Sequence, residues 1–270
     1  MADAEDVVQV VAERWLRADH ESIVNPAAWL TTVTSRVGLD RLRARRRDRA
    51  DYVGPWLPDP VVAYDDQPAT AELSDSLTTA FLVLLEKLSP TERLVLLLAD
   101  VFQQPFSAVA AVVGKSEAAT RQLAVRARRR VASSADVRPA TTPEQERLAT
   151  EFVTAIVLGD QQRASALLAD DVVLTSDGGP SRHAARRPVV GRDRVARFLT
   201  NVTKRQIEVY GARSRVQPGW VNGAPGFVVM TDDQPDTVFA FDTATTATAG
   251  AAVITAVYVM LNPTKLIGAA

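Results

Sequence analysis

Phe106-Ser107-Ala108-Val109-Ala110-Ala111-Val112-Val113-Gly114-Lys115-Ser116-Glu117-Ala118-Ala119-Thr120-Arg121-Gln122-Leu123 is the stretch on which the reading of the chain turns. A short apolar helix stops at Gly114, and Ser116 is placed to cap a second helix. In that second helix Ala119, Leu123, Ala127 and Val131 recur at i+4 along one face. Two helices joined by a tight glycine turn, the second carrying its basic residues away from its apolar stripe, have the pattern of a helix-turn-helix. Just upstream, Ser89-Pro90-Thr91-Glu92 has the form of a capping box with proline in the first turn, and it opens an apolar helix from Leu94 to Phe102.

Towards the amino terminus, residues 50–70 break the helical pattern. Gly54-Pro55-Trp56-Leu57-Pro58-Asp59-Pro60 is extended, since each proline disfavours helix in the residue before it, and Asp65, Asp66 and Pro68 prolong the break. This is a linker whose tryptophan implies that it docks on something. Ahead of it, residues 1–49 read as helical. Asn25 before Pro26 is an N-cap with proline at the first helical position, and apolar periodicity runs through Trp29, Leu30, Val33, Val37, Leu39 and Leu42.

Beyond the basic helix, a polar link at 135–141 leads to Thr142-Pro143-Glu144-Gln145, the start of another capped helix. Helices are expected near 143–158, 160–169 and 191–206. β-Branched runs follow at Val172 to Ser176, Val209 to Gln217, Gly226 to Thr231, Thr237 to Asp242 and Ala252 to Leu261. Helices first and strands later predict an α+β unit with the helices on one face of a curved antiparallel sheet.

The 270 residues and 29.2 kDa exceed the usual single-domain size, so several domains are expected. With 47% hydrophobic and 23% charged residues the chain is a globular protein, and the absence of cysteine removes disulfides, thiolate catalysis and cysteine-ligated zinc. The acidic start, Met1-Ala2-Asp3-Ala4-Glu5-Asp6, lacks the basic and apolar regions of a signal peptide. The longest weakly polar run, Ala247 to Leu261, falls short of the ~20 residues that span a bilayer. A cytoplasmic protein without membrane association is the expectation.

Thirty-one basic residues against 32 acidic ones argue, on net charge alone, against a nucleic-acid partner. Their distribution argues the other way. From Arg36 to Arg49 seven arginines (36, 41, 43, 45, 46, 47 and 49) face only Asp40 and Asp48. From Lys115 to Arg130 six basic residues face only Glu117. Either run alone is more often a solvated face, and positive charge suits a helix C-terminus. Two such helices around a linker match a protein that grips two places on one DNA molecule. Near the N-terminus of the second helix Ser116, Glu117, Thr120, Arg121 and Gln122 are the candidates for base contact. Arg121 and Gln122 are favoured, because arginine bridges guanine and glutamine bridges adenine bidentately.

These residues carry a family likeness. Ala4-Glu5-Asp6-Val7-Val8-Gln9, Trp15-Leu16-Arg17, Pro26-Ala27-Ala28-Trp29-Leu30 and Ser35-Arg36 through Asp40-Arg41-Leu42-Arg43 resemble the second region of bacterial extracytoplasmic-function sigma factors. Leu84-Leu85-Glu86 through Arg93, Val101-Phe102 and Gly114 to Leu123 resemble their fourth region. Trp56-Leu57-Pro58-Asp59-Pro60, Asp177-Gly178-Gly179 and Asn262-Pro263-Thr264-Lys265-Leu266 are similar to three motifs of the subgroup that carries a SnoaL-like tail. The implied fold is multidomain: two all-α segments followed by an α+β SnoaL-like cone-shaped barrel. Residues 1–50 would form region 2, 51–73 the linker, 74–135 region 4, and 142–270 the regulatory tail.

The resemblance implies a protein that joins core RNA polymerase and directs it to promoter DNA, with no catalysis, cofactor or metal of its own. Glu5, Asp6 and Gln9, with Asp3 beside them, would dock on the polymerase. Thr31, Thr32, Ser35, Arg36, Asp40, Arg41 and Arg43 would melt and read the −10 element. Lys115, Ser116, Glu117, Thr120, Arg121, Gln122, Arg126, Arg128 and Arg129 would bind the −35 element. Trp56, Leu57, Pro58, Asp177, Gly178, Gly179, Asn262, Pro263, Lys265 and Leu266 would couple the tail to the linker. The family's second region begins with helices upstream of Asp3, so the expectation is either a truncated or mis-started amino terminus or an incomplete helix bundle. Val10 and Ala12 stand where an acid and an aromatic are usual. In the tail Pro180 and Ser181 replace glycine and lysine, and Thr264 replaces aspartate.

Two rival readings remain at the level of sequence: a helix-turn-helix regulator that does not support initiation, and a small-molecule-binding or isomerase tail. Acid and base candidates in the tail are Asp171, Asp177, His183, Asp232, Asp233 and Asp242. Most fit plainer roles: His183 an exposed loop, Asp170-Asp171 a helix end, Asp177 a turn before Gly178-Gly179, and Asp232-Asp233 a hairpin turn with Gln234-Pro235. A small-molecule ligand would lie in an apolar pocket lined by Phe198, Trp220, Phe227, Phe239, Phe241 and Tyr258.

Overall fold

The computed structural model describes residues 2–48, 52, 54–64, 78–132, 140–245 and 251–266, without the side chains of Ala2, Asp3, Arg46, Arg47, Asp48 and Ala132. Arg49, the linker residues Asp65, Asp66 and Pro68, the 73/74 boundary and most of the polar link 135–141 lie outside the described residues. The chain forms two compact units. A helical one comprises Met1–Asp51 and Leu84–Ser134, and a mixed one comprises Tyr52–Val83 and Ala135–Ala270.

The helical unit contains α1 (Ala2–Leu16), α2 (Pro26–Asp48), the end of α3 (Thr79–Glu86), α4 (Pro90–Leu96), α5 (Phe106–Val113) and α6 (Glu117–Ala132). Its helix starts follow local chemistry. The Asn25 side-chain oxygen accepts from the Ala28 N–H at 3.0 Å. Ser89 and Glu92 cap reciprocally, at 3.3 and 3.0 Å. Gly114 ends α5 at φ 67°, a left-handed conformation that glycine adopts without steric cost. The helix expected from Leu94 to Phe102 is α-helical only as far as Leu96 and continues as a π turn over Leu97–Val101.

Leu39 of α2 joins Leu94, Val95, Leu98, Val109, Val112 and Ala124 in one core. Of the expected Ala119-Leu123-Ala127-Val131 line, Ala127 is fully buried, Leu123 packs half-buried against the core, and Ala119 and Val131 are half-buried. The fully buried line of α6 is Thr120, Ala124 and Ala127. Short side chains on this line permit close approach of α6 to α4 and α5, and the Thr120 hydroxyl is satisfied by donating to the Ser116 carbonyl at 2.9 Å.

Among the described residues of the mixed unit, α7 (Thr142–Leu158), α8 (Gln161–Ala166) and α9 (Arg192–Tyr210) pack on a seven-stranded sheet in the order β1-β4-β5-β6-β7-β2-β3. The strands are β1 (Val62–Ala63), β2 (Leu168–Asp177), β3 (Val189–Val190), β4 (Ser214–Val221), β5 (Ala224–Thr231), β6 (Gln234–Thr245) and β7 (Ala252–Met260), with α10 (Pro263–Leu266) after them.

Four expectations are corrected here. The cap of α7 is Thr141, whose N–H and hydroxyl donate to Glu144 at 2.8 and 2.7 Å, one residue earlier than read. Val209 is helical and exposed: α9 runs on to Tyr210 and ends at Gly211, whose N–H donates to the Ile207 carbonyl, so β-branched propensity does not decide here. Asp170 and Asp171 lie inside β2 at a register shift between Leu168 and Val173, not at a helix end. The sheet is mixed rather than antiparallel, since β2 runs parallel to β7.

Both faces of the sheet are covered. Phe227, Phe241, Val257 and Val259 face α7 and α9, whereas Val228, Met230, Val238, Ala240, Tyr258 and Met260 form a second core with Leu57 and Leu266. Strict alternation along β5 sends neighbours to opposite cores. The linker is therefore a structural layer of the mixed unit, and it contributes the edge strand β1, with Val62 opposite Val221 and Ala63 opposite Trp220.

Candidate nucleic-acid interface and linker clamp

The solvent face of α6 presents Glu117, Arg121, Gln122, Arg126, Arg128 and Arg129, with Lys115 and Ser116 exposed just before it. Ser116 serves as the cap, its hydroxyl accepting from the Ala119 N–H at 3.2 Å. Arg121 pairs with Glu117 and lies over the Phe106 ring at 4.9 Å, so its guanidinium is oriented at the start of the helix. Arg128 grips Asp100 through two bonds of 2.9 and 2.6 Å, and Arg130 reaches the buried Glu92 at 2.8 Å. These two arginines also fasten α6 to α4 and to the π turn that follows it. Thr120 departs from the expected set: it is packed in the core and has no surface to offer a base edge.

On α2, Arg36, Asp40, Arg41 and Arg43 are exposed, and Thr31 and Thr32 are half-buried with hydroxyls donating to the Ala27 and Ala28 carbonyls at 2.8 Å. Ser35 is buried, so it packs instead of facing a ligand. Glu5, Asp6 and Gln9 are exposed on α1, and Asp6 holds Arg41 at 3.1 Å across the hairpin. Exposed pairs of this kind contribute little to stability and exchange readily for a phosphate or another carboxylate.

The tail motifs converge on the linker. Asp177 at the end of β2 and Lys265 on α10 form an ion pair of 2.7 Å with side chains 0% and 4% exposed. Around it the linker closes: the Leu57 N–H donates to Asp177 at 2.9 Å, the Lys265 ammonium donates to the Leu57 carbonyl, and the Tyr52 hydroxyl donates to Asp177. Burial, with the Asp177 carboxylate beside it, pushes the Tyr52 phenol well above its ordinary range, so it stays a donor. The Lys265 nitrogen sits 3.5 Å from the centre of the Trp56 ring, and Tyr52 packs edge-on against Trp56.

Asn262 caps α10, accepting from Thr264, and donates to the Tyr52 hydroxyl at 2.9 Å. Gly179 has φ 62°, and a Cβ there would lie 2.6 Å from the Asn262 side chain, which accounts for glycine at this position. Pro58 and Leu266 are buried beside the pair, and Pro263 is exposed. Two participants escaped the sequence reading. Tyr52 lies outside any motif, and Asn222, in the β4–β5 turn, accepts from the Val61 N–H at 2.9 Å and donates to Thr79 at 3.0 Å. An isolated aromatic and an Asn-Gly turn carry no local sign of a distant partner.

A cavity of about 800 Å³ lies between α7, α9 and the sheet. Phe198, Phe227 and Phe239 line it as expected. Phe241 is instead in the core behind, Tyr258 on the opposite face of the sheet, and Trp220 on the edge opposite β1. The acid and base candidates do not assemble. Asp171 is exposed, Asp177 belongs to the clamp, and His183 lies exposed at the cavity rim. Asp232 and Asp233, both at positive φ, make the hairpin turn and pair with Arg213 and Arg215. Asp242 is on the opposite face of the sheet, accepting from Tyr258 at 2.7 Å, and burial pushes its carboxyl up to about 6.

Known proteins bear on these features directly. Residues 1–48 match the Sigma-70 region 2 family and residues 78–131 the Sigma-70, region 4 family. The ECF RNA polymerase sigma factor SigJ of Mycobacterium tuberculosis is 41% identical over 211 residues, which cover 76% of this chain and 67% of SigJ. The probable ECF RNA polymerase sigma factor SigI of the same organism is 34% identical over 199 residues, 71% of this chain and 66% of SigI. The crystal structure of the M. tuberculosis extracytoplasmic function sigma factor SigJ is similar at a TM-score of 0.73 and 35% identity, over 99% of this chain and 90% of that one. A capped helix-turn-helix with a basic outer face, a second basic helix ahead of it and relatives of this extent lead to one conclusion: the chain belongs to the extracytoplasmic-function RNA polymerase sigma factors, which join core polymerase and direct transcription initiation at promoters.

Proposed function

We propose that the carboxy-terminal domain regulates this sigma factor in cis by holding the linker. The observation that carries the reading is the buried Lys265–Asp177 pair closed on both backbone groups of Leu57. A linker tied at Tyr52, Leu57 and β1 has the stretch between residues 52 and 63 withdrawn from its reach. In the helical unit Leu39 of α2 shares a core with Leu94 and Val95 of α4, so the two promoter-reading segments have to part before they bind separated DNA elements. Slack in the linker is what that separation requires. Exposed Lys115, Glu117, Arg121, Gln122, Arg126 and Arg129 would then contact the −35 element, exposed Arg36, Arg41 and Arg43 the −10 element, and Glu5, Asp6 and Gln9 the polymerase.

Promoter-dependent transcription with core polymerase tests this reading. Full-length protein, Lys265→Ala, Trp56→Ala and a chain ending near Asp136 are compared on one promoter. The two point variants are expected to change transcript yield at least threefold in the same direction as the shortened chain. Identical yields from all four would sink the reading.

A further inference from the structure

The cavity and the clamp share a wall. Ser176, His183, Ala184 and Ala185 border the 800 Å³ cavity and also border a smaller pocket of about 250 Å³ lined by Gly54 and Pro55 of the linker. Ser176 precedes Asp177, and its hydroxyl accepts from the Ala185 N–H at 2.9 Å, so the loop from Gly178 to Ala185 is closed on the strand that bears the clamp carboxylate. The loop is bonded to itself and to the clamp: the Arg182 N–H donates to the Gly178 carbonyl at 3.1 Å, and the Gly179 N–H donates to the Asp177 carboxylate at 3.1 Å. Displacement of this wall from the cavity side is therefore felt at Asp177.

The lining defines the occupant. It is dominated by Phe152, Phe198, Phe227, Phe239 and aliphatic side chains, with hydroxyl and amide groups from Thr154, Thr203, Gln206, Ser214 and Thr237. Among the described residues no carboxylate, lysine or arginine lines the cavity, and the one titratable side chain, His183, is at the rim. Asp236, next to Thr237, is engaged by Arg182, Gln206 and Thr237. A charged ligand would enter without a counter-ion, whereas a neutral apolar molecule with one or two hydroxyl or carbonyl groups would be matched, in a volume within the range of small-molecule sites.

We propose that the cavity binds a neutral, mainly apolar small molecule and that its occupancy tightens the linker clamp through the Ser176–Ala185 wall. The inference rests on the cis-regulatory reading above. It assigns the tail a sensing role rather than an isomerase activity, because no acid–base pair faces the cavity among the described residues.

The test uses the full chain and N-phenyl-1-naphthylamine, a neutral fluorescent probe, with amide hydrogen exchange of the peptide spanning Leu57 as the second readout. Saturable binding is expected, weakened at least tenfold in Val202→Trp and in Val216→Trp, which fill the mouth of the cavity from α9 and from β4. Saturating probe is expected to slow exchange at residues 54–60 at least threefold. Absence of binding, equal binding by both variants, or exchange that is unchanged or faster would each overturn the proposal. Lys265→Ala separates the two ideas. If it leaves exchange at 54–60 as in the wild type, the clamp reading fails; if it speeds exchange while the probe does nothing, only the sensing inference fails.

Discussion

Lys265 and Asp177 set the behaviour of the clamp residue by residue. A buried pair carries a desolvation cost that is offset only while both charges and their hydrogen bonds persist. Lys265→Ala leaves Asp177 buried without its cation, and a loss on the order of 3 kcal/mol is expected in chemical denaturation of the full chain. Lys265→Met, of similar volume but uncharged, is expected to lose as much, since the unpaired carboxylate and not the lost volume dominates; full stability in Lys265→Met would contradict this. Asp242 offers a pH test. Its carboxyl is raised from 3.8 to about 6 by burial, against the opposing bond from Tyr258, so the folded state binds the proton more tightly than the unfolded one. The stability this contributes is fully present below pH 3.8 and is lost as pH rises through about 6. Asp242→Asn is therefore expected to be more stable than the wild type at pH 7.5 by on the order of 2 kcal/mol, with the gap closing towards pH 4. A gap independent of pH would refute the assignment.

At the scale of the element, α6 shows how a helix divides its labour. Its buried line of Thr120, Ala124 and Ala127 is short enough for close packing, and its outer face is left to arginine and glutamine. Thr120→Val keeps the shape and loses only a hydroxyl bonded to its own helix. Promoter affinity is expected to stay within twofold, while Arg126→Ala weakens it and reduces the salt dependence of log K by about 1. Binding measured across a salt series distinguishes the two, and a weakened Thr120→Val would restore that residue to the DNA face. The caps of α2, α4 and α5 were legible because Asn25, Ser89 and Gly114 act on groups within four residues. The start of β4 was not, because the β-branched residues near 209 belong to the exposed last turn of α9, which ends only at Gly211.

Over the whole molecule, the linker is tied to the tail as a layer on its sheet. Loss of β1 pairing through Asn222→Ala removes the acceptor for the Val61 N–H and the donor to Thr79. Faster amide exchange at residues 58–64 is expected, with the sheet otherwise protected; unchanged exchange there would show that the edge strand is held by other contacts. The sequence by itself determined the helix-turn-helix, the basic faces and the tail's mixed character, since capping, periodicity and charge are properties of short stretches; the motifs at 56–60, 177–179 and 262–266 were legible only through the family resemblance. Only the tertiary structure decided that Thr120 and Ser35 are interior, that the sheet is buried on both faces, and that the linker is the layer covering one of them. It alone joined Tyr52 to Asp177 across 125 positions of sequence and Leu57 to Lys265 across 208. Such partners are fixed by which surfaces meet when two cores form at once, and no local pattern encodes a meeting at that separation.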